Sequence, residues 1–157
     1  MEQYLNSLIE GLKAKEKMLD ELTALTEKQQ TIVSGEKIDW DAFDAIVDEK
    51  SDIIEKLNQN DEGFTAVFDR IKDDLNSQMG KYSSYIEQIK SGIANVTNKS
   101  TSLMALEQRT KTRVENAFKR QKKEYNNSKT SSRVATNYYN AMNRMNFVDP
   151  QLMDSKK

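Results

Sequence analysis

Proline occurs once in this 157-residue chain, at position 150, and glycine occurs five times. Folds with many tight turns use both residues heavily, because they supply backbone angles that other residues adopt only at a cost. The chain therefore has little material for an all-β fold. With 36% hydrophobic and 31% charged residues, an extended all-helical protein fits better, because long helices in small bundles bury less surface per residue than a compact globule does.

The segment 2–33 shows the periodicity of an amphipathic helix. Its apolar side chains recur at steps of three and four and form a narrow stripe, close to the seam of a coiled coil: Leu5, Leu8, Ile9, Leu12, Leu19, Leu22, Leu25, Ile32 and Val33. The stripe predicts a first helix over about Glu2–Val33. Gly35 is expected to end it in the left-handed conformation that glycine adopts most easily.

A second helix is predicted to begin at Asp39, which is a favourable N-cap residue because its carboxylate accepts hydrogen bonds from first-turn amides. Ile38 and Phe43 occupy the two positions of a hydrophobic staple around that cap. The apolar face of this helix ends near residue 58. The short connection 34–38 implies an antiparallel hairpin over residues 2–58.

The polar segment 59–63 predicts the next break. Beyond it, one apolar stripe predicts a long helix from about residue 63, which Gly80 and Gly92 weaken without ending. The polar run 97–102 is compatible with a bend, a frayed stretch or an uninterrupted exposed turn.

These segments predict an all-α fold, an elongated antiparallel helical bundle or coiled coil of three main helices. The predicted helical domain covers residues 1–125. Residues 126–157 begin with small polar residues typical of a linker, and they are predicted to form a mobile, flexible C-terminal tail. The apolar residues of that tail are equally compatible with folding on binding and with packing back on the bundle.

The absence of two residue types limits the reactions and the metal ligands that the chain can provide. Without cysteine and histidine, the chain lacks a thiolate nucleophile, a disulfide, and the commonest general base and transition-metal ligand. No catalytic residue, metal or cofactor is expected, and the chain is predicted not to be an enzyme. No apolar run is long enough to span a bilayer, and the N-terminus does not resemble a signal peptide. Membrane insertion is therefore not expected, and a cytoplasmic location is predicted.

Charge is divided unevenly along the chain. Residues 1–75 carry 9 basic and 19 acidic side chains, whereas residues 76–157 carry 15 basic and 6 acidic ones. Within the second half, the segment 109–133 is the most basic. The two halves can attract each other, or the basic segment can meet an acidic protein partner. Nucleic acid is not favoured as a partner, because only Phe118 and Tyr125 are available there to stack on bases.

One stretch carries a family resemblance. A leucine-rich helix leads to a Glu followed by glutamines and a glycine turn, and the next helix places a Lys before paired aliphatic residues and a Leu. In this chain the positions are Glu27, Gln29, Gln30, Gly35, Lys50, Ile53, Ile54 and Leu57. This pattern, over about 40 residues, resembles the N-terminal hairpin of the FlgN family of flagellar type III export chaperones.

The resemblance implies a function and two sites. It implies that the chain binds hook-associated proteins of the hook–filament junction and delivers them to the export gate. Family cargo contacts lie in the C-terminal half, which here offers the cargo stripe, defined as Leu103, Leu106, Val114 and Phe118. A tyrosine near the C-terminal end contacts the export gate in the family, and Tyr138 and Tyr139 are the local candidates.

The cargo stripe is expected to be uncovered, since its helix outruns the first hairpin. It would then bind a cargo helix or pair with a second copy in a homodimer. The main alternative function is a structural coiled-coil adaptor or homodimer without a chaperone cycle, and a third is a basic helix protein associated with nucleic acid. The sequence leaves open which hook-associated protein is the cargo and which tyrosine matters.

Overall fold

The computed structural model describes residues 1–121 together with Asn137, Tyr138 and Asn140. Three helices account for nearly all of them: α1 at Glu2–Ser34, α2 at Trp40–Ser77 and α3 at Ser83–Gln121. No strand occurs within this described part of the chain. The predicted all-α fold of three main helices is confirmed.

Each helix buries a seam whose members alternate between steps of three and four residues. In α1 the seam is Leu5, Leu8, Leu12, Lys15, Leu19, Leu22, Thr26, Gln29 and Val33. In α3 it is Ile89, Ile93, Val96, Ser100, Leu103, Glu107, Thr110, Val114, Ala117 and Gln121. A repeat of this kind keeps one face of a helix against its neighbours over many turns. The buried polar residues therefore occupy core positions rather than the surface.

The start of α2 follows the prediction. The backbone amide of Ala42 donates a hydrogen bond to Asp39 Oδ1 at 3.0 Å, which makes Asp39 the N-cap. Ile38 and Phe43 are both buried, as expected of the two staple positions.

The end of α1 differs from the prediction, because Gly35 does not have a positive φ. Side chains from the end of α3 bind backbone carbonyls here instead. The Arg120 guanidinium donates to the carbonyl of Val33 at 3.1 Å, and the Gln121 amide donates to that of Glu36 at 3.1 Å. These contacts satisfy acceptors that a left-handed glycine cap would otherwise serve.

The predicted break at 59–63 is wrong, and so is the predicted end of the hairpin at residue 58. Helix α2 continues through this segment, because the Asn60 amide donates to the Gly11 carbonyl at 2.9 Å and Asp61 pairs with Lys15 at 2.8 Å. The polar residues of the segment thus have partners on α1. The chain turns instead over residues 78–82, around Gly80, so the predicted continuous helix from about residue 63 is divided there.

The described residues form two compact units. Unit 1 contains Met1–Leu19 and Lys56–Thr101. Its contacts pair Tyr4 with Arg70 and Lys15 with Asp61, so α1 and α2 run antiparallel there. Burial raises the pKa of Asp61, and its ion pair with Lys15 only partly opposes that shift.

Close contact between α1 and α3 also holds unit 1 together. Gly92 lies against Leu12, and Lys99 lies 3.5 Å from Glu16. Both pairs advance in the same direction along the chain, so α1 and α3 run parallel in this unit. The run 97–102 is uninterrupted helix, and Ser100 within it is buried.

Unit 2 contains Asp20–Glu55 and the described part of Ser102–Met145. In this unit α1 and α3 are parallel, since Thr26 contacts Glu107 and Gln30 contacts Thr110. Helix α2 is antiparallel to α3, since Trp40 contacts Gln121 and Lys50 contacts Glu107. The predicted tail 126–157 lies outside the described residues apart from Asn137, Tyr138 and Asn140.

Candidate functional site

A buried ion pair lies in the core of unit 2. Lys50 of α2 and Glu107 of α3 are bonded through Nζ and Oε1, and their side chains are only 2% and 1% exposed. Moving two charges out of water costs several kcal/mol each unless further hydrogen bonds satisfy them. The hydrogen bonds that neighbouring side chains make to Lys50 and Glu107 therefore determine how well the buried charges are stabilised.

Neighbouring side chains from α1 complete the pair. The Nζ of Lys50 donates a second hydrogen bond to Gln29 Oε1 at 2.8 Å. The Thr26 hydroxyl lies 2.9 Å from Glu107 Oε1 and 2.7 Å from the carbonyl of Leu22. The Nε2 of Gln29 has no hydrogen-bond partner in the described part of the chain. Burial lowers the pKa of Lys50, and the attraction of Glu107 opposes that shift.

Tyr138, which lies beyond the three long helices in the chain, joins this cluster. Its hydroxyl donates to Glu107 Oε2 at 3.0 Å, and its ring packs on Phe43 with the centroids 5.8 Å apart. The Lys50 Nζ lies 5.5 Å from the centroid of the ring. Tyr138 is 1% exposed. For this tyrosine, packing back on the bundle is the alternative that the structure supports.

An aromatic cluster borders the ion pair. Trp40 stacks on Phe118 with the ring centroids 4.4 Å apart, and it meets Phe43 edge to face at 5.5 Å. The indole N–H of Trp40 donates to Gln121 Oε1 at 3.2 Å. Trp40 is therefore a packing residue near the α1–α2 connection. It links the start of α2 to the end of α3.

The cargo stripe lies on one helix but is not uncovered. Leu103, Leu106 and Val114 are buried within unit 2, and Phe118 is half-buried against Trp40. The expectation of an open stripe is wrong, because three of its four side chains are buried and the fourth packs on Trp40. Tyr139 lies outside the described residues, so of the two candidate gate tyrosines only Tyr138 has a described position.

Sequence reasoning missed the polar core of unit 2. Gln29 and Lys50 carried the family resemblance, but their partner Glu107 was not predicted to be buried. The sequence signal for this pair was the helical register of Lys50 and Glu107. Phe43, Val47 and Lys50 are spaced by four and then three residues, and Glu107 follows Leu103 by four. A charged residue at a seam position predicts a buried partner.

The described residues hold no group of three or more acidic side chains arranged to bind a metal ion. Among the described residues, no helix combines the length and the apolar character that a membrane span needs.

The long helices, the polar core and the absence of strands within the described residues define an all-α helical-bundle protein. The family model described as FlgN protein matches residues 1–144. The chain belongs to the FlgN family, whose role is that of a flagellar chaperone. Searches of curated proteins and of solved structures found no match.

Proposed function

We propose that this chain is a cytoplasmic export chaperone that binds hook-associated proteins through their terminal helices and delivers them to the type III export gate. The observation that carries the proposal is the family match over residues 1–144. A flagellar chaperone acts by binding its client, so the proposed role requires a binding surface and no catalytic residues. The all-α architecture supports helix-mediated recognition, in which an amphipathic client helix buries its apolar face on the chaperone.

As the cargo surface we propose the face of α3 that carries Leu103, Leu106, Val114 and Phe118. Three of these side chains are buried in the described structure, so only Phe118 offers part of its ring to a partner. A client helix would first meet Phe118 beside Trp40. Contact with the other three would require a neighbouring segment to leave this face.

As the gate contact we propose Tyr138 or Tyr139. Tyr138 is 1% exposed and its hydroxyl is hydrogen-bonded to Glu107. Its phenol therefore has to leave unit 2 before it can contact another protein. The basic residues of α3 provide a surface for an acidic partner, and Arg109, Arg113 and Lys119 are exposed.

Light scattering of the full chain, with and without a purified hook–filament junction protein, tests the proposal. A complex whose mass equals the sum of one client and one chaperone or chaperone dimer supports it. The same measurement on the chain alone reports whether it is a homodimer. No complex at micromolar concentrations, with both proteins folded, contradicts the chaperone proposal and leaves the structural adaptor as the better account.

A matched pair of variants locates the cargo surface. Phe118→Ser removes a half-buried ring in unit 2, and we expect it to weaken client binding at least about tenfold, as loss of an aromatic anchor does. Met79→Ser is the control, because Met79 is 45% exposed in the α2–α3 connection of unit 1. Equal client affinity in the two variants, with helix content unchanged, would exclude Phe118 as an anchor.

A further inference from the structure

Tyr138 fits a specific place on unit 2, which we call the tyrosine socket and define as Phe43, Lys50 and Glu107. Phe43 supplies an apolar wall, Lys50 places its charge over the ring, and Glu107 Oε2 accepts a hydrogen bond from the Tyr138 hydroxyl at 3.0 Å. Asn137, the preceding residue, lies 3.5 Å from Asp44 Oδ1. The contact is therefore made by a short piece of chain, with Tyr138 as its buried anchor.

The socket is selective for a phenol. Glu107 Oε1 already faces Lys50 and Thr26, whereas Oε2 accepts its hydrogen bond from Tyr138. A phenylalanine ring would fill the same space but would leave a buried carboxylate oxygen without that donor. Hydrogen bonds to charged groups contribute enough that this loss corresponds to about tenfold or more in occupancy.

The socket also shares a face with the cargo stripe. Glu107 lies four residues after Leu103 and seven before Val114, and residues at these spacings point the same way from a helix. A side chain that covers Glu107 therefore lies next to the residues proposed to bind cargo. In the described structure, Tyr138 is one of the side chains in that place.

We propose that the tyrosine socket holds Tyr138 on unit 2, and that a client helix docking on this face of α3 releases it. The release step rests on the proposed chaperone function, whereas the socket itself does not. A docked Tyr138 is inaccessible, so docking on unit 2 and contact with a second protein exclude each other. Client binding and exposure of Tyr138 are then linked, and each favours the other.

The first test removes the acceptor without leaving a buried charge. The double variant Lys50→Met with Glu107→Leu replaces the ion pair by apolar side chains, a change that folded proteins often tolerate. The matched control is Lys99→Met with Glu16→Leu, which removes an ion pair of unit 1 that is more exposed than Lys50–Glu107. Nitration by tetranitromethane, mapped by mass spectrometry, reports access to Tyr138, with the half-buried Tyr85 as internal standard.

We expect Tyr138 to be nitrated at least about tenfold faster in the socket variant than in wild type, and at the wild-type rate in the control. Tyr138 as reactive as Tyr85 in the wild-type chain would overturn the proposal. So would an unchanged rate in a socket variant that retains its helix content.

A second test does not depend on that variant. The full chain with Tyr138→Ala keeps the socket residues but loses its occupant. A synthetic peptide of residues 130–145 should bind this variant, and it should bind wild type at least about tenfold more weakly because the socket is filled. The same peptide with Tyr138→Phe should also bind the variant about tenfold more weakly. No preference for the tyrosine peptide would exclude a phenol-selective socket.

The release step is tested by nitration of wild type saturated with a hook–filament junction protein. Faster nitration of Tyr138 in the complex supports release by the client. A complex seen by light scattering in which Tyr138 stays protected overturns the release step but leaves the proposed function standing. Failure to form a complex contradicts the proposed function, and the first two tests still decide whether the socket exists.

Discussion

Gly92 marks a close approach of α1 and α3 in unit 1, so a methyl group added there should not give the stabilisation that alanine usually gives in a helix. A Cβ built on Gly92 would lie 2.9 Å from Leu12 Cδ1 and 3.2 Å from Leu12 Cβ. The terminal methyl can rotate away, but Leu12 Cβ is fixed to the backbone of α1. Relief of that contact requires α1 and α3 to move apart.

The expected magnitude follows from two opposing effects. Alanine is more favourable than glycine in a helix interior by about 1 kcal/mol, while overpacking a well-packed core costs about 1–3 kcal/mol. Gly92→Ala should therefore range from neutral to about 2 kcal/mol destabilising. Gly63→Ala is the matched control, because Gly63 lies inside α2 with nothing within 4 Å of the added methyl. It should stabilise by about 1 kcal/mol.

Urea unfolding followed by circular dichroism measures both variants. We expect the free energy of unfolding to differ between them by about 2 kcal/mol, which corresponds to about 4–8 °C in Tm for a protein of this size. Equal stabilisation by both alanines would refute the close approach at Gly92. Equal destabilisation would refute the assignment of residue 63 to a continuous α2.

Three further predictions concern charged residues. Asp39→Ala should lower the free energy of unfolding by about 1 kcal/mol through loss of the N-cap, and Asp41→Ala, in the same first turn, should lower it by less; urea unfolding of both checks this. Burial raises the pKa of Asp61 above its usual 3.8 in the folded state. The free energy of unfolding of wild type should therefore fall relative to that of Asp61→Asn as pH rises from 3.8 through the native pKa. A difference in urea unfolding that stays constant or grows in favour of wild type across that range would contradict this. Lys50→Met alone should cost about 3–5 kcal/mol, because it leaves Glu107 buried without its cation, whereas adding Glu107→Leu should recover most of that loss; no recovery in thermal melts would mean that the ion pair itself stabilises unit 2.

The helices were predictable because the sequence repeats the same spacing throughout. Apolar residues at steps of three and four predict helix whatever the partners are, and Asp39 with its staple predicts where α2 begins. The seam of α2 continues through Leu57, Asp61 and Phe64 without a change of phase. That continuity, rather than the polar character of residues 59–63, was the better guide.

The turn at 78–82 was missed for a related reason. The sequence keeps steps of four, three and four from Leu75 through Met79 and Tyr82 to Ile86, so the pattern crosses the turn without interruption. Only Gly80 and the exposure of Met79 distinguish this segment, and exposure is a property of the folded chain. Periodicity alone therefore could not find where α2 ends.

The candidate site was predictable only in part. The cargo stripe was identified by its apolar residues, but its burial depends on which helices cover it, and single-helix periodicity does not report that. Lys50 and Glu107 are 57 residues apart in sequence, and Tyr138 is a further 31 residues beyond Glu107. Their meeting is a product of the packing in unit 2.

The most direct measurement of the central claim is light scattering of the full chain mixed with a hook–filament junction protein. The account predicts a defined complex that forms with wild type and with Met79→Ser, and that is weakened at least about tenfold by Phe118→Ser. Two separate species at micromolar concentration, with both proteins folded, would contradict it.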